Sequence, residues 1–285
     1  MSEIEIKSID RFEDYIRCAE LQKLIWNFSD LELIPPRLFK LYQFVGGSVL
    51  GAFTKDNVLV GFALAQPSFH YRERSWHSNV LAVHPDFQNR NIGFHLKRVQ
   101  RLEALKNNIA LITWTFDPLQ ARNSHFNLNR LGVRIRSYLK NAYGPKSSRL
   151  IHGGLGTDRV LAEWEINSSL VDKMMNRADA SPRETENHLP SCFLQLKNSS
   201  DSKRLHAVFP DWRLESFCLE IPGDLTNLLH YNLPLAKEWR RKFRVLMTTS
   251  FSRGYQVTRM ARYRTTEPDD QSGPSWAAFY ILEKC

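Results

Sequence analysis

Cysteine is scarce in this 285-residue chain: Cys18, Cys192, Cys218 and Cys285 are the only four, and no two form a CxxC pair. Such spacing argues against a zinc ribbon or a disulfide framework and leaves reduced thiols as the expectation. A cysteine nucleophile needs a neighbouring base, and the sequence shows none beside any of the four. Apolar runs are short as well. None approaches the roughly 18 to 20 residues of a membrane helix, so no membrane partner is expected. The first twenty residues, MSEIEIKSIDRFEDYIRCAE, interleave acids and bases throughout. They have neither a signal peptide's apolar stretch nor a transit peptide's acid-poor composition, so a cytoplasmic location is the default. His70, His77, His84 and His95 come without an HExxH pattern or a cysteine partner, and no metal is expected.

What is present describes an ordinary globular protein. Hydrophobic residues make up 42% and charged residues 24%, and the length suits two modest domains. The formal charge of +9 raises the question of a nucleic-acid partner. Its basic residues are spread out, however, and the densest knot, KEWRRKFR at 237–244, reads as a solvated helix face. No nucleic-acid partner is expected unless the basic residues converge on one surface; an anionic small ligand suits the same charge.

Hydrophobic periodicity gives the order of elements. EIEIKSI reads as a strand, and DRFEDYIRCAELQKLIW as a helix capped by Asp10, with Phe12, Ile16, Ala19 and Leu24 at helical spacing. IPPRLFKLYQFVGG has proline at its head and glycine at its tail, which predicts a second helix. SVLGAFT and NVLVGFALAQP flank KDN and should pair as an antiparallel hairpin. SWHSNVLAVHP is a third strand, followed by the turn FQNRNIG and a helix from Phe94 to Lys106 with Leu96, Val99, Leu102 and Leu105 inward. IALITWTF is a buried strand, ARNSHFNLNRL a helix before Gly132, and VRIRSYL and DRVLAEWEIN are strands. The chain turns polar from Ser168 to His188. Beyond it, SCFLQL, LESFCLEIP, GYQVTRMARY and WAAFYILE read as strands, and PLAKEWRRKFRVLMTTSFSRG as a long helix. The expected fold is α/β around a mixed, partly parallel sheet over residues 1–167, then a linker at 168–188 and a second, smaller α+β domain at 189–285.

The stretch FQNRNIGFHL, Phe87 to Leu96, carries the chemistry. Where a strand ends and a helix begins, first-turn N–H groups and the helix dipole together attract an anion such as a diphosphate. Gly93 lets backbone approach closely, and Asn91 is among the few residues other than glycine that tolerate a left-handed conformation. Gln88 and Arg90 can add donors. A polar loop without a ligand is the plainer alternative, against which stands the setting between NVLAVHPDF and an amphipathic helix.

LAVHPDFQNRNIGFHLKRVQ resembles the pyrophosphate-binding segment of the GNAT superfamily of acyl-CoA N-acyltransferases, whose pattern is Gln/Arg-x-x-Gly-x-Gly/Ala. Gln88 and Gly93 fill the outer positions, and Asn91 replaces the first glycine. The element order of the first three-fifths of the chain is also similar. ALITWTFDPLQARNSHFNLNRLGVRIRSYLKNAYG resembles, more narrowly, a branch of uncharacterised bacterial acetyltransferase-like proteins with a C-terminal extension.

The resemblance implies acetyl-CoA or another acyl-CoA as co-substrate, an amine as acceptor, and direct attack on the thioester. It places the cofactor against Ala82, Val83, Gln88, Asn89, Arg90, Asn91, Ile92, Gly93, Phe94 and Asn123. It implies that a strand amide near Ala82 or Val83, with Val83 preferred, polarises the carbonyl. The tyrosine that many relatives use as general acid falls at Leu128 here. Candidates for the missing proton chemistry are His77 on the strand before the turn, Asp117 at a strand end, and Tyr138 or Tyr143. His125 is placed with Asn123 by the same resemblance. WTFDP reads mostly as core, and HGGLGTDR at 152–159 as a loop. The expected function is acyl-CoA-dependent N-acyltransfer to a small-molecule amine; the alternative is a non-catalytic acyl-CoA-binding or regulatory protein. Two roles stay open for the C-terminal part: a cover over the acceptor site or a homodimer contact.

Overall fold

In the hairpin formed by residues 48 to 70, apolar side chains occupy both faces, so its strands can only be central ones, covered on each side. The computed structural model, which describes residues 4–144, 154–176, 189–199, 202–268 and 274–285, has this arrangement. Strand β2 (Ser48–Phe53) is buried along its whole length and pairs with β3 (Leu59–His70). Around them lie β1 (Glu5–Ser8), β4 (Glu73–Val83) and β5 (Leu111–Phe116), in the order β1-β2-β3-β4-β5. All neighbours are antiparallel except β4 and β5, which makes the sheet mixed.

Helices α1 (Phe12–Trp26) and α2 (Pro36–Phe44) cover one face, where Tyr15, Cys18, Leu21 and Phe39 pack with Val49, Phe62, Leu64 and Ala82. Helix α3 (Ile92–Lys106) covers the other, where Ile92 and Leu96 meet Leu50, Ala52, Val60 and Ala63. The switch of partners between Val49 and Leu50, or Phe62 and Ala63, is the period of two expected of a pleated strand. Gly61 is needed here, because a Cβ on it would come within 2.9 Å of the Ala82 carbonyl oxygen.

Two expectations about helix faces need correction. Helix α1 is capped at Arg11 without a side-chain bond; Asp10 instead accepts from Gln43 Nε2 at 3.3 Å, drawing α2 to the strand end. Phe12, Ile16 and Leu24 are exposed, whereas Asp14, Tyr15, Cys18 and Gln22 turn inward. In α3, Leu102 is 47% exposed, and the stripe facing inward includes Lys97, Gln100, Arg101 and Ala104. A polar stripe can be buried only if it brings partners. Arg101 donates to the Ile166 carbonyl at 2.7 Å and to Asp172 at 3.2 Å. Asp172 lies on α5 (Ser169–Asn176), a helix with Val171 and Met175 buried, at the start of the polar stretch read as a linker. Residues 177–188 of that stretch lie outside the described residues.

Contacts divide the chain into two units: Met1–Trp114 with Trp164–Met175, and Thr115–Glu163 with Asn176–Cys285. This division differs from the sequence-drawn one at 167 and 189. The second unit contains α4 (Ala121–His125), which runs into a π-helical turn, Phe126–Leu131, and stops at Gly132 with φ +76°. Its strands are β6 (Arg134–Leu139), β7 (Arg159–Glu165), β10 (Ser216–Ile221), β11 (Tyr255–Pro268) and β12 (Pro274–Lys284), paired antiparallel in the order β7-β6-β11-β12-β10. A separate hairpin joins β8 (Leu194–Ser199) to β9 (Ser202–Ala207). Helices α6 (Leu225–Tyr231) and α7 (Leu233–Ser252) complete the unit. Asn232 caps α7 by accepting from Leu235 N at 3.0 Å. Its buried stripe, Ala236, Trp239, Arg240, Phe243, Leu246, Met247 and Ser250, follows helical spacing. The basic knot at 237–244 is thus not wholly a solvated face, since Arg240 is 3% exposed.

Candidate functional site

Strand β4 pairs with β5 only at Trp76↔Ile112 and His77↔Thr113. From Ser78 to Val83 it runs on without a β5 partner, held by β3 along its other edge. A register shift opposite Leu64 and Ala65 leaves Asn79 as an extra residue. Past this bulge the alternation of an antiparallel ladder decides which amides are engaged. His84 N donates to Val60 O at 2.8 Å, so the amide of Ala82 also belongs to the β3 edge and that of Val83 points to the open one.

The strand then enters the turn. Pro85–Phe87 is a 3-10 turn whose Asp86 N–H is accepted by His84 Nδ1 at 3.2 Å. Gln88 is extended and donates through Nε2 to the Val83 carbonyl at 3.3 Å, bracing the turn against the strand. Asn89 and Asn91 are both left-handed, with φ of 62° and 59°. The first helical bond of α3 is His95 N to Asn91 O at 3.0 Å, which makes Ile92, Gly93 and Phe94 the first-turn residues. Asn91 makes no side-chain capping bond to the helix. Ile92 and Phe94 are buried at 3% and 2% and anchor the helix, Gly93 is half-buried, and Asn89, Arg90 and Asn91 are exposed. The Arg90 guanidinium lies over the Phe87 ring at 4.9 Å.

His77 is half-buried and its Nδ1 is 3.0 Å from Thr113 Oγ1. Burial, and then the charge of Lys97, push its pKa below the usual histidine value, which favours the neutral ring. Lys97 itself was missed by sequence reasoning. It is 2% exposed, and burial lowers its pKa to about 7. Nζ donates to Gln100 Oε1 at 2.7 Å and to Ser78 Oγ at 3.2 Å. A lysine inside a helix pattern reads as surface, and nothing local marks this one as buried.

The other candidates belong to the second unit and have partners of their own. Asp117 accepts from Arg240 Nη2 at 2.5 Å and from Leu119 N at 2.9 Å. Tyr138 donates to Asp158 Oδ2 at 2.7 Å, and burial raises its pKa above the usual phenol value. Asp158, fully buried, accepts from Arg244 Nε at 2.7 Å and Nη2 at 3.0 Å. Burial alone would raise its pKa; Arg244, Tyr138 and the Asn141 amide together hold it low. Asn123 is exposed and accepts from Asn127 Nδ2 at 3.3 Å. Tyr143 hydrogen-bonds Thr115 at 2.6 Å, and burial lowers the pKa of His125. Leu128 is 1% exposed, a core residue.

Among the described residues no helix is long and apolar enough to cross a membrane, and no group of three or more His, Cys, Asp or Glu could hold a metal.

Part of the chain is similar to known proteins. Residues 14–126 match the model of the acetyltransferase (GNAT) family. Solved structures with a similar fold include a candidate acetyltransferase from Acinetobacter baylyi, 14% identical, covering 60% of this chain and 96% of that one at a TM-score of 0.49. Another is a candidate acetyltransferase from Salmonella typhimurium, determined with acetyl-CoA, 17% identical, covering 64% and 99% at a TM-score of 0.47. A third is the ribosomal-protein-S18-alanine N-acetyltransferase of Escherichia coli, 16% identical, covering 59% and 96% at a TM-score of 0.46. No curated protein matches the chain. The match to the acetyltransferase (GNAT) family model thus spans the part of the chain that holds β4, the turn and α3.

Proposed function

We propose that the protein transfers an acyl group, acetyl in the simplest case, from acyl-CoA to an amine. The observation that carries this reading is the parting of β4 from β5 after His77, just before a turn that presents a helix entrance. Amides of the first turn of α3 hold the diphosphate, with Gly93 giving close approach and Arg90 an exposed positive charge above it. The thioester lies along the open edge of β4, where the Val83 N–H donates to the carbonyl oxygen as negative charge develops on it.

The amine attacks the thioester carbon, a tetrahedral oxyanion forms, and the carbon–sulfur bond breaks to release CoA thiolate. His77, neutral at physiological pH, takes the proton that the attacking amine loses, directly or through one water. Asp117 and Tyr138 are less suited to this work, since each is committed to a buried ion-pair network. The buried Leu128 at the position of the family's acid leaves the thiolate to take its proton from solvent or substrate. That same residue favours the second reading, a protein that binds acyl-CoA without turnover.

The test is release of free thiol from acetyl-CoA in the presence of a panel of amines, amino acids and peptides. Amine-dependent release supports transfer. Binding of acetyl-CoA with no release on any amine supports the second reading.

A further inference from the structure

Two of the four cysteines, distant in sequence, are neighbours in the fold. Cys192, in the segment leading to β8, forms an isolated parallel bridge with Cys218 of β10. Two backbone hydrogen bonds fix it: Phe193 N to Cys218 O and Cys218 N to Ser191 O, both 3.0 Å. Directly opposed residues on adjacent strands lie about 5 Å apart, within the about 4.4 to 6.8 Å between Cα atoms that a disulfide spans. Cys192 Sγ donates to the Leu194 carbonyl at 3.1 Å and Cys218 Sγ to the Pro190 carbonyl at 3.3 Å.

We propose that Cys192 and Cys218 form a redox-active dithiol, oxidised to a disulfide by hydroperoxides, that fastens the segment entering the β8–β9 hairpin to β10. Their environments divide the labour. Cys192 is partly exposed, whereas Cys218 is fully buried among Ala261, Ile281 and Leu189. The neighbouring Cys218 thiol lowers the pKa of Cys192 below the usual thiol value, while the Cys192 neighbour and burial raise that of Cys218. A partly exposed thiol of lowered pKa beside an enclosed one of raised pKa suits an attacking and a resolving role.

The step balances with hydrogen peroxide as oxidant. The Cys192 thiolate attacks one peroxide oxygen, the O–O bond breaks, and the hydroxide released takes up a proton to leave as water. This gives a sulfenic acid on Cys192. The Cys218 sulfur then gives up its proton and attacks the Cys192 sulfur; the S–S bond forms, and hydroxide leaves with that proton as water. Two thiols are oxidised by two electrons and one peroxide is reduced to two waters.

The experiment uses the full chain, reduced and then exposed to hydrogen peroxide, with remaining thiols blocked by maleimide before digestion and mass spectrometry. The expected product is one intramolecular cross-link joining the peptides of Cys192 and Cys218, reversed by dithiothreitol, with Cys285 still open to maleimide. The variant Cys218→Ser should stop at a Cys192 sulfenic acid that dimedone traps, and Cys192→Ser should leave Cys218 unoxidised. Hydrogen exchange should slow at residues 192–196 on oxidation of the wild type alone. The proposal is overturned if Cys192 and Cys218 are both recovered as separate maleimide adducts after peroxide, if Cys192 goes to sulfinic acid without a cross-link, or if a Cys285-linked dimer is the sole product.

Discussion

Lys97 Nζ lies 3.9 Å from the centroid of the Trp114 ring, and among the described residues no carboxylate is bonded to it. Trp164 stands 5.1 Å away on another side. Burial favours the neutral amine, while the aromatic faces favour the ammonium. With a folded pKa of about 7 the first effect is the larger.

A stability consequence follows from that lowered pKa. Between about pH 7 and the ordinary lysine value of 10.5 the unfolded chain binds a proton that the folded one does not. Stability should therefore rise with pH across this window, with a slope of up to about 1.4 kcal/mol per pH unit from this group. Lys97→Met should lack that rise. Urea denaturation of both proteins from pH 7 to pH 10 measures it.

His77 gives a prediction on rate. Replacement by Gln, which keeps a hydrogen-bonding partner for Thr113, should lower kcat/KM for amine acetylation by on the order of 10²-fold. The base must be unprotonated, so wild-type kcat/KM should fall as pH drops through a value below the usual histidine pKa of 6.5, and the variant should lose this limb. Steady-state thiol release between pH 5 and pH 8 provides the check.

Arg244 and Asp158 form a pair whose removal should be costly, because Arg244→Ala leaves a fully buried carboxylate without its bidentate partner. A loss of about 3 kcal/mol at neutral pH is expected. Asp158 is held at a lowered pKa, so its contribution is present above the unfolded value of 3.8 and fades as pH falls through the folded value. The deficit of the variant should accordingly shrink below pH 4, as seen by chemical denaturation across that range.

Local backbone conformation was more legible in the sequence than distant side-chain partners. The left-handed Asn91 ahead of α3 was legible because Asn tolerates that conformation, and the structure adds Asn89 as a second left-handed residue. Helix α2 was legible from its leading proline and trailing glycines, and the β2–β3 hairpin from two apolar runs flanking a short polar turn. The inward faces of α1 and α3 were not, because Asp14, Gln22, Lys97 and Arg101 are buried with partners that only the fold supplies. The same holds for Arg240 and Asp117, which bond at 2.5 Å across 123 residues of sequence. Asp10 looked like a helix cap, yet its carboxylate is taken by Gln43 from α2.

The central claim is that the entrance of α3 grips the diphosphate of CoA. Titration calorimetry of acetyl-CoA into the wild type and Gly93→Glu, with circular dichroism to establish that the variant is folded, tests it directly. The account predicts saturable heat for the wild type and none for the folded variant, whose carboxylate repels the phosphates. Equal affinities in the two proteins would contradict it.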